Sequence, residues 1–376
     1  MFRHIALFSM IAVLSVSLGY IPAVADGSSP VDALSPGLHL GYGTFSPIAV
    51  DQLPLFDARV SEATDAGLDV ARIMVDWAEV VGTSGEFDRS LLHDQLERVP
   101  RNTRLFLTLS VTDVDRYSVP ADLLSSDGGL NTSLDDPVVI GRYLDLMDDI
   151  VPELISEYGL FAISTANEPD VLLAERSPVD TRALATFTSA VNAYADDVYP
   201  GLDVTMTLSG GGVLGSQELV AELVESTDVA TFNWGCIDLA TFQASEIDAI
   251  PGEIELLVQA AQGRDIVIQE LSCPSGYTDG ERFFGATPEF QATWFETFFA
   301  EMSQSPVFRA AFVFDLVDWP EELAVVYSDF LRVEGLDEIA DRYEELQRTW
   351  GLLTFDDLAP KPAWLVFLDA IRLNAN

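Results

Sequence analysis

The sequence predicts an α/β protein whose strands close into a single (β/α)8 TIM barrel. Three observations predict it. Eight apolar runs of strand length recur along the chain. Amphipathic stretches of helix length lie between them. The runs are near-continuously apolar, as strands covered on both faces are. The strands fall at residues 38–43, 70–76, 105–111, 160–167, 204–209, 230–236, 266–271 and 311–317. Helix patterns occupy 137–158, 181–198, 217–226, 253–261 and 288–303. The last of these opens on Thr287-Pro288-Glu289, an N-cap followed by proline at the first helical position. An open doubly wound sheet would want a Gly-x-Gly-x-x-Gly loop after an early strand, and none is present. Ser209-Gly210-Gly211-Gly212 reads instead as a tight turn after the fifth strand. The connection 113–136 is long enough for either a substrate-binding loop or a mobile surface loop.

The chain has 376 residues, 48% of them hydrophobic, enough for one large core. Residues 1–25 read as a signal peptide. Arg3 and His4 precede an apolar run at 5–18, and Ala23-Val24-Ala25 supplies the small-x-small cleavage pattern before Asp26. A secreted protein, extracellular or periplasmic, is expected. Residues 26–36 read as a flexible lead-in and 37–376 as the single catalytic barrel. No later run approaches the length of a membrane span, so no membrane association is expected after cleavage. Nineteen basic against sixty-one acidic residues give a net charge of −42, which argues against nucleic acid as a partner. Lys361 is the sole lysine, and so acidic a surface suits a saline habitat. A monomer is expected.

The missing residues narrow the chemistry. After cleavage only His39 and His93 remain, so a three-histidine zinc site is excluded, and no His-Glu-x-x-His exists. No Gly-x-Ser-x-Gly elbow supports a serine hydrolase. Neither metal nor cofactor is implied, and acid–base work falls on carboxylates. Two glutamates stand out by position. Glu168 ends the fourth strand, between Asn167 and Pro169, and Glu270 ends the seventh. Barrel chemistry sits at the C-terminal ends of the strands. Two carboxylates converging there suit glycoside hydrolysis, one protonating the leaving oxygen and the other attacking the sugar. The alternative is a pair of surface glutamates at loop starts. Arg72 lies inside an apolar strand, where it is costly unless it meets a carboxylate such as Glu270.

These residues resemble the clan A glycoside hydrolases, the superfamily of β-glycosidase and β-glycanase barrels, and the resemblance covers most of residues 37–373. Asn167-Glu168-Pro169 resembles its strand-four motif, which implies Glu168 as acid/base and Asn167 as a contact to the sugar 2-hydroxyl. Gln269-Glu270 resembles the strand-seven nucleophile, and residues 71–77 resemble the strand whose arginine bonds that nucleophile. Asp318-Trp319 resembles the strand-eight tryptophan that floors the sugar subsite. Gly351-Leu352-Leu353 and Lys361-Pro362-Ala363-Trp364 resemble the closing hairpin and last helix. The resemblance implies a retaining β-glycosidase or endo-β-glycanase with a β-linked carbohydrate as its substrate.

Two departures stand out. Strand six lacks the tyrosine that usually bonds the nucleophile; Asn233, Trp234 or Tyr277 is expected to replace it. Strand three ends in Ser110 rather than a frequent histidine. Trp77 and Tyr42 end strands two and one and suit either sugar stacking or packing. The rival reading is a carbohydrate-binding or exopolysaccharide-assembly protein on a glycosidase-like barrel with lost or altered turnover. Cys236 and Cys273, the only cysteines, end neighbouring strands and suit either a disulfide or two buried thiols.

Overall fold

A computed structural model describes residues 34–45, 47–81, 87–174, 176–238, 243–276, 286–333 and 337–375. The expected signal peptide and Tyr277 lie outside the described residues. Eight strands form the barrel wall: β1 (His39–Gly43), β2 (Val70–Asp76), β3 (Arg104–Ser110), β4 (Ala162–Asn167), β5 (Asp203–Leu208), β6 (Ala230–Gly235), β7 (Ile266–Ser272) and β8 (Phe308–Val313). Each pairs in parallel with its neighbour; β8 returns to β1, and the β3–β4 pairing completes the ring. The predicted barrel is present. Its main helices are α1 (Leu53–Ala66), α2 (Ser90–Leu96), α3 (Pro137–Tyr158), α4 (Pro178–Val198), α5 (Gln217–Val224), α6 (Ile250–Ala260), α7 (Pro288–Gln304), α8 (Glu321–Val333), α9 (Asp337–Gln347) and α10 (Pro362–Asn374).

Local chemistry sets the ends of these elements. Asp136 caps α3 by accepting from the Val138 N–H, Pro137 follows at the first helical position, and Gly159 stops the helix at φ 61°. Thr287 caps α7 by accepting from the Phe290 N–H. The N-terminal end of the barrel is plugged by Val70, Phe106, Phe161, Val267 and Phe312 from the strands and their lead-ins. Leu34 joins that plug. The last residues of the expected flexible lead-in therefore include a buried anchor, because the open barrel end needs an apolar cover.

Two further differences from the sequence reading concern the C-terminal third. The last strand starts at Phe308 rather than at 311 and ends at Val313. Arg309 interrupts the apolar pattern but reaches outward to Asp265 at 3.0 Å, so it does not break the strand. The apolar residues beyond Val313 serve another contact: Val317 bridges Leu353 in the closing segment. The second difference is the α8 and α9 excursion between β8 and α10, which no strand or helix pattern had marked.

Lys361 locks that closing segment to the barrel. Its Nζ donates to Asp318 Oδ1 at 2.6 Å, Ser275 Oγ at 2.8 Å and the carbonyls of Gly351 and Thr349 at 2.9 and 3.1 Å. Burial pushes the ammonium down and the Asp318 carboxyl up to about 6, while their mutual attraction opposes both.

Candidate active site

The C-terminal ends of β4 and β7 carry the two glutamates, and both strands are irregular there. The register of β7 slips between Ile268 and Glu270, and that of β4 between Ser164 and Asn167. A bulge breaks the in–out alternation of a strand and re-aims the next side chain. In β7 it turns the successive residues Gln269 and Glu270 to the same interior. Gln269 Oε1 accepts from Thr108 Oγ1 at 2.6 Å and Thr207 Oγ1 at 2.5 Å, across the barrel. Its Nε2 donates to Asn167 Oδ1 at 3.0 Å. A buried polar layer thus supports the C-terminal end of the barrel, where the two glutamates lie.

Glu270 accepts from Arg72 Nη1 at 2.8 Å. Arg72 is only 3% exposed, lies over the Phe314 ring at 5.8 Å and runs against Gly43. A Cβ at Gly43 would sit 2.6 Å from Arg72 Nη2, so the close approach requires glycine. Burial raises the Glu270 carboxyl, with Arg72 opposing that rise. Glu168 meets different surroundings. Its side chain accepts from Asn233 Nδ2 at 2.9 Å. Burial and the nearby Glu270 charge push it up to about 8. One carboxyl is therefore held against a guanidinium, and the other has its proton affinity raised by burial and a neighbouring negative charge, an arrangement able to set an acid beside a nucleophile.

The backbone at Glu168 is left-handed, φ 49° and ψ 43°, immediately before Pro169. A non-glycine residue there costs about 1–3 kcal/mol, and such strain clusters at functional sites. The Glu168 N–H is fixed by the Thr207 carbonyl at 2.7 Å. Asp170, two residues beyond Glu168, accepts from both the N–H and Oγ of Ser209.

Among the other expected site residues, Asn167 is central. Its Oδ1 accepts from Asn233 at 3.2 Å as well as from Gln269, and its Nδ2 donates to Asp113 Oδ1 at 3.1 Å. Ser110, where a histidine is frequent, accepts from the Asn167 N–H at 2.9 Å. Asn233 donates to Glu168 rather than to Glu270. Trp234 also departs from the expected role, because its indole N–H is committed to Glu253 Oε2 at 3.0 Å. Trp319 donates to Asp315 Oδ2 at 2.7 Å and stands edge-on to Phe45, Tyr327 and Trp350. It is 6% exposed, so little of its ring faces solvent. Tyr42 and Trp77 are packing residues, not sugar platforms. Tyr42 is fully buried and donates to the Arg98 carbonyl at 2.8 Å. Trp77 is buried edge-on against Tyr143. Both are wide apolar side chains at strand ends, where the helical layer covers them.

The sequence reading missed four residues near the carboxylates. Asp315 is fully buried, and burial holds its carboxyl well above the ordinary range. Asp113 opens the long loop, where nothing in its neighbours distinguished it from other loop aspartates. Tyr327 and Tyr343 come from α8 and α9. The Tyr343 hydroxyl is pushed up to about 12 by burial and by the charges of Glu168, Asp113 and Glu270. No cluster of His, Cys, Asp and Glu able to hold a metal ion exists among the described residues.

Cys236 and Cys273 form a disulfide beside this site, their Cα atoms 5.0 Å apart. The bridge closes a loop of sequence separation 37, worth about 4 kcal/mol in the chain-entropy account. Replacing both cysteines by serine is expected to lower the unfolding free energy by about 2–4 kcal/mol. Denaturant melts of the oxidised protein and the variant measure the difference. Thiol titration of the unreduced, denatured protein is expected to find none.

No described protein family matches the sequence, and no curated protein matches it either. Solved structures match it in fold. A GH5_18 from Streptomyces cattleya in complex with GlcNAc is 16% identical at TM-score 0.63, over 91% of this chain and 80% of that one. A GH5_18 variant from Bifidobacterium longum subsp. longum in complex with Manβ1-4GlcNAc is 12% identical at TM-score 0.61, over 89% and 78%. A GH10 endoxylanase from a sugarcane soil metagenome is 12% identical at TM-score 0.58, over 89% and 96%. This chain shares the (β/α)8 barrel fold of these structures.

Proposed function

We propose that this protein is an exported, retaining β-glycoside hydrolase acting on a β-linked oligo- or polysaccharide. The observation that carries the reading is the pair of partly buried carboxyls with opposed environments, Glu270 on the Arg72 guanidinium and Glu168 on the Asn233 amide. In the first step Glu270 attacks the anomeric carbon, the glycosidic bond breaks, and Glu168 gives its proton to the departing oxygen. In the second, Glu168 takes a proton from water, the hydroxide oxygen attacks the same carbon, and Glu270 is released. Export is supported by the first 25 residues and by the disulfide.

The pH dependence follows in sign. Glu168 must be protonated and Glu270 ionised in the free enzyme. The alkaline limb of kcat/KM is therefore expected near pH 8, where Glu168 loses its proton. The acid limb is expected above the ordinary glutamate range, because Glu270 is raised. The test is hydrolysis of a panel of β-linked polysaccharides and aryl β-glycosides, with NMR of the first-formed anomer. Release of the β-anomer supports the reading, and release of the α-anomer overturns retention. Tight binding of one polysaccharide with no cleavage of any panel member would favour the binding or assembly barrel instead.

A further inference from the structure

A short strained hairpin braces the end of β4. Thr112–Asp113 pairs antiparallel with Arg116–Tyr117, and Asp113 also lies in parallel register with Asn167. Val111 and Val114 donate their N–H groups to the carbonyls of Thr165 and Asn167 at 2.9 and 3.0 Å. Val114 does so at φ 53°, a left-handed conformation that a β-branched residue rarely adopts. Two left-handed residues, Val114 and Glu168, thus flank one carbonyl, and the strain is concentrated where the acid is presented.

The side chains continue the brace. Asp76, at the end of β2, meets Arg116 at 3.4 Å; Arg116 meets Asp113 at 2.9 Å; Asp113 accepts from Asn167 at 3.1 Å. Asn167 in turn shares Asn233 with Glu168. A polar chain therefore runs from β2 through the hairpin to the acid. We propose that Asp113 is a positioning residue that orients Asn167 and, through the Asn233 amide that Asn167 shares with Glu168, the Glu168 carboxyl. This inference rests on the hydrolase reading given above.

The groups facing Glu168 are Glu270 on β7, Asp170 on its own segment, Asn233 on β6, Asp113 on the hairpin and Tyr343 on α9. Those facing Asp113 are Arg116 beside it, Asp76 on β2, Tyr327 on α8, Tyr343 on α9 and the two glutamates. The three nearby carboxylates, Glu270, Asp170 and Asp113, all disfavour ionisation of Glu168, with burial the larger cause. Removing one of those charges lowers its proton affinity, and removing the cation that offsets Asp113 raises it.

The experiment is the pH profile of kcat/KM for the full chain and three variants on one substrate. Asp113→Asn keeps the shape and an acceptor for Asn167, and is expected to move the alkaline limb down by about half a unit or more. Arg116→Gln is expected to move it up. Asp113→Ala is expected to lower kcat by about tenfold in addition, because Asn167 loses its acceptor. A purely structural hairpin would give no opposed shifts. If Glu168→Gln abolishes the alkaline limb while Asp113→Asn and Arg116→Gln leave it in place, the Asp113 inference falls and the site reading stands. If the wild-type chain hydrolyses nothing, both fall.

Discussion

Glu270→Gln is expected to lower kcat by about three to five orders of magnitude without loss of fold. The amide has the shape of the carboxylate but no charge to give to the anomeric carbon, so the covalent step has no nucleophile. Arg72 then faces a neutral oxygen, which it can still bond as donor. Glu168→Gln is expected to behave differently with different leaving groups. An amide cannot supply a proton, so the loss is largest for natural sugars and alkyl glycosides, whose departing oxygen is strongly basic. It shrinks for dinitrophenyl glycosides, which leave without help. Steady-state kinetics on a leaving-group series, with circular dichroism to confirm folding, measures both. Near-normal turnover by Glu270→Gln would remove the glutamate from the nucleophile's role.

Arg72→Lys is expected to fold and to lose about a hundredfold in kcat/KM. Lysine offers a mobile point charge in place of a rigid planar guanidinium, and Glu270 loses the fixed Nη1 donor that orients it. Arg72→Met is expected to do more. It leaves a partly buried carboxylate without its cation, a change that costs up to about 3–5 kcal/mol unless the carboxylate takes up a proton. That escape also inactivates the nucleophile. The double variant Arg72→Met with Glu270→Gln is therefore expected to recover most of the lost stability while remaining inactive. Denaturant melts of the three variants decide it. A single Arg72→Met variant as stable as the wild type at pH 7 would show that the pair contributes nothing to the fold.

The barrel was legible because its strands are covered on both faces. Runs such as 70–76 and 105–111 have no solvent face to interrupt them. The candidate pair was legible because a glutamate at the end of a buried strand has few structural uses. The surroundings were not, for three physical reasons. A bulge cannot be read from periodicity, so nothing predicted that Gln269 and Glu270 face the same way. Aromatic residues at strand ends carry no mark of which layer covers them, and Tyr42 and Trp77 went inward. The α8 and α9 excursion lies outside the repeating strand–helix order, so Tyr327 and Tyr343 had no place in a pattern built on that order. Asp113 depends on a hairpin whose register the loop sequence does not announce.

The buried lysine has a consequence for handling the protein. Lys361 is the sole lysine, and its ammonium is enclosed by four oxygen acceptors. Reagents that acylate or reductively alkylate amines need a reachable nitrogen, and this one is buried. Amine-directed dyes, aldehyde cross-linkers and sugar-derived carbonyls would therefore leave the folded surface untouched apart from an α-amine. Carbodiimide coupling is the opposite case, because carboxyls are the groups this surface has in excess. A support that grips the protein through them would draw on the many exposed carboxyls, although Glu168 and Glu270 carry the same group.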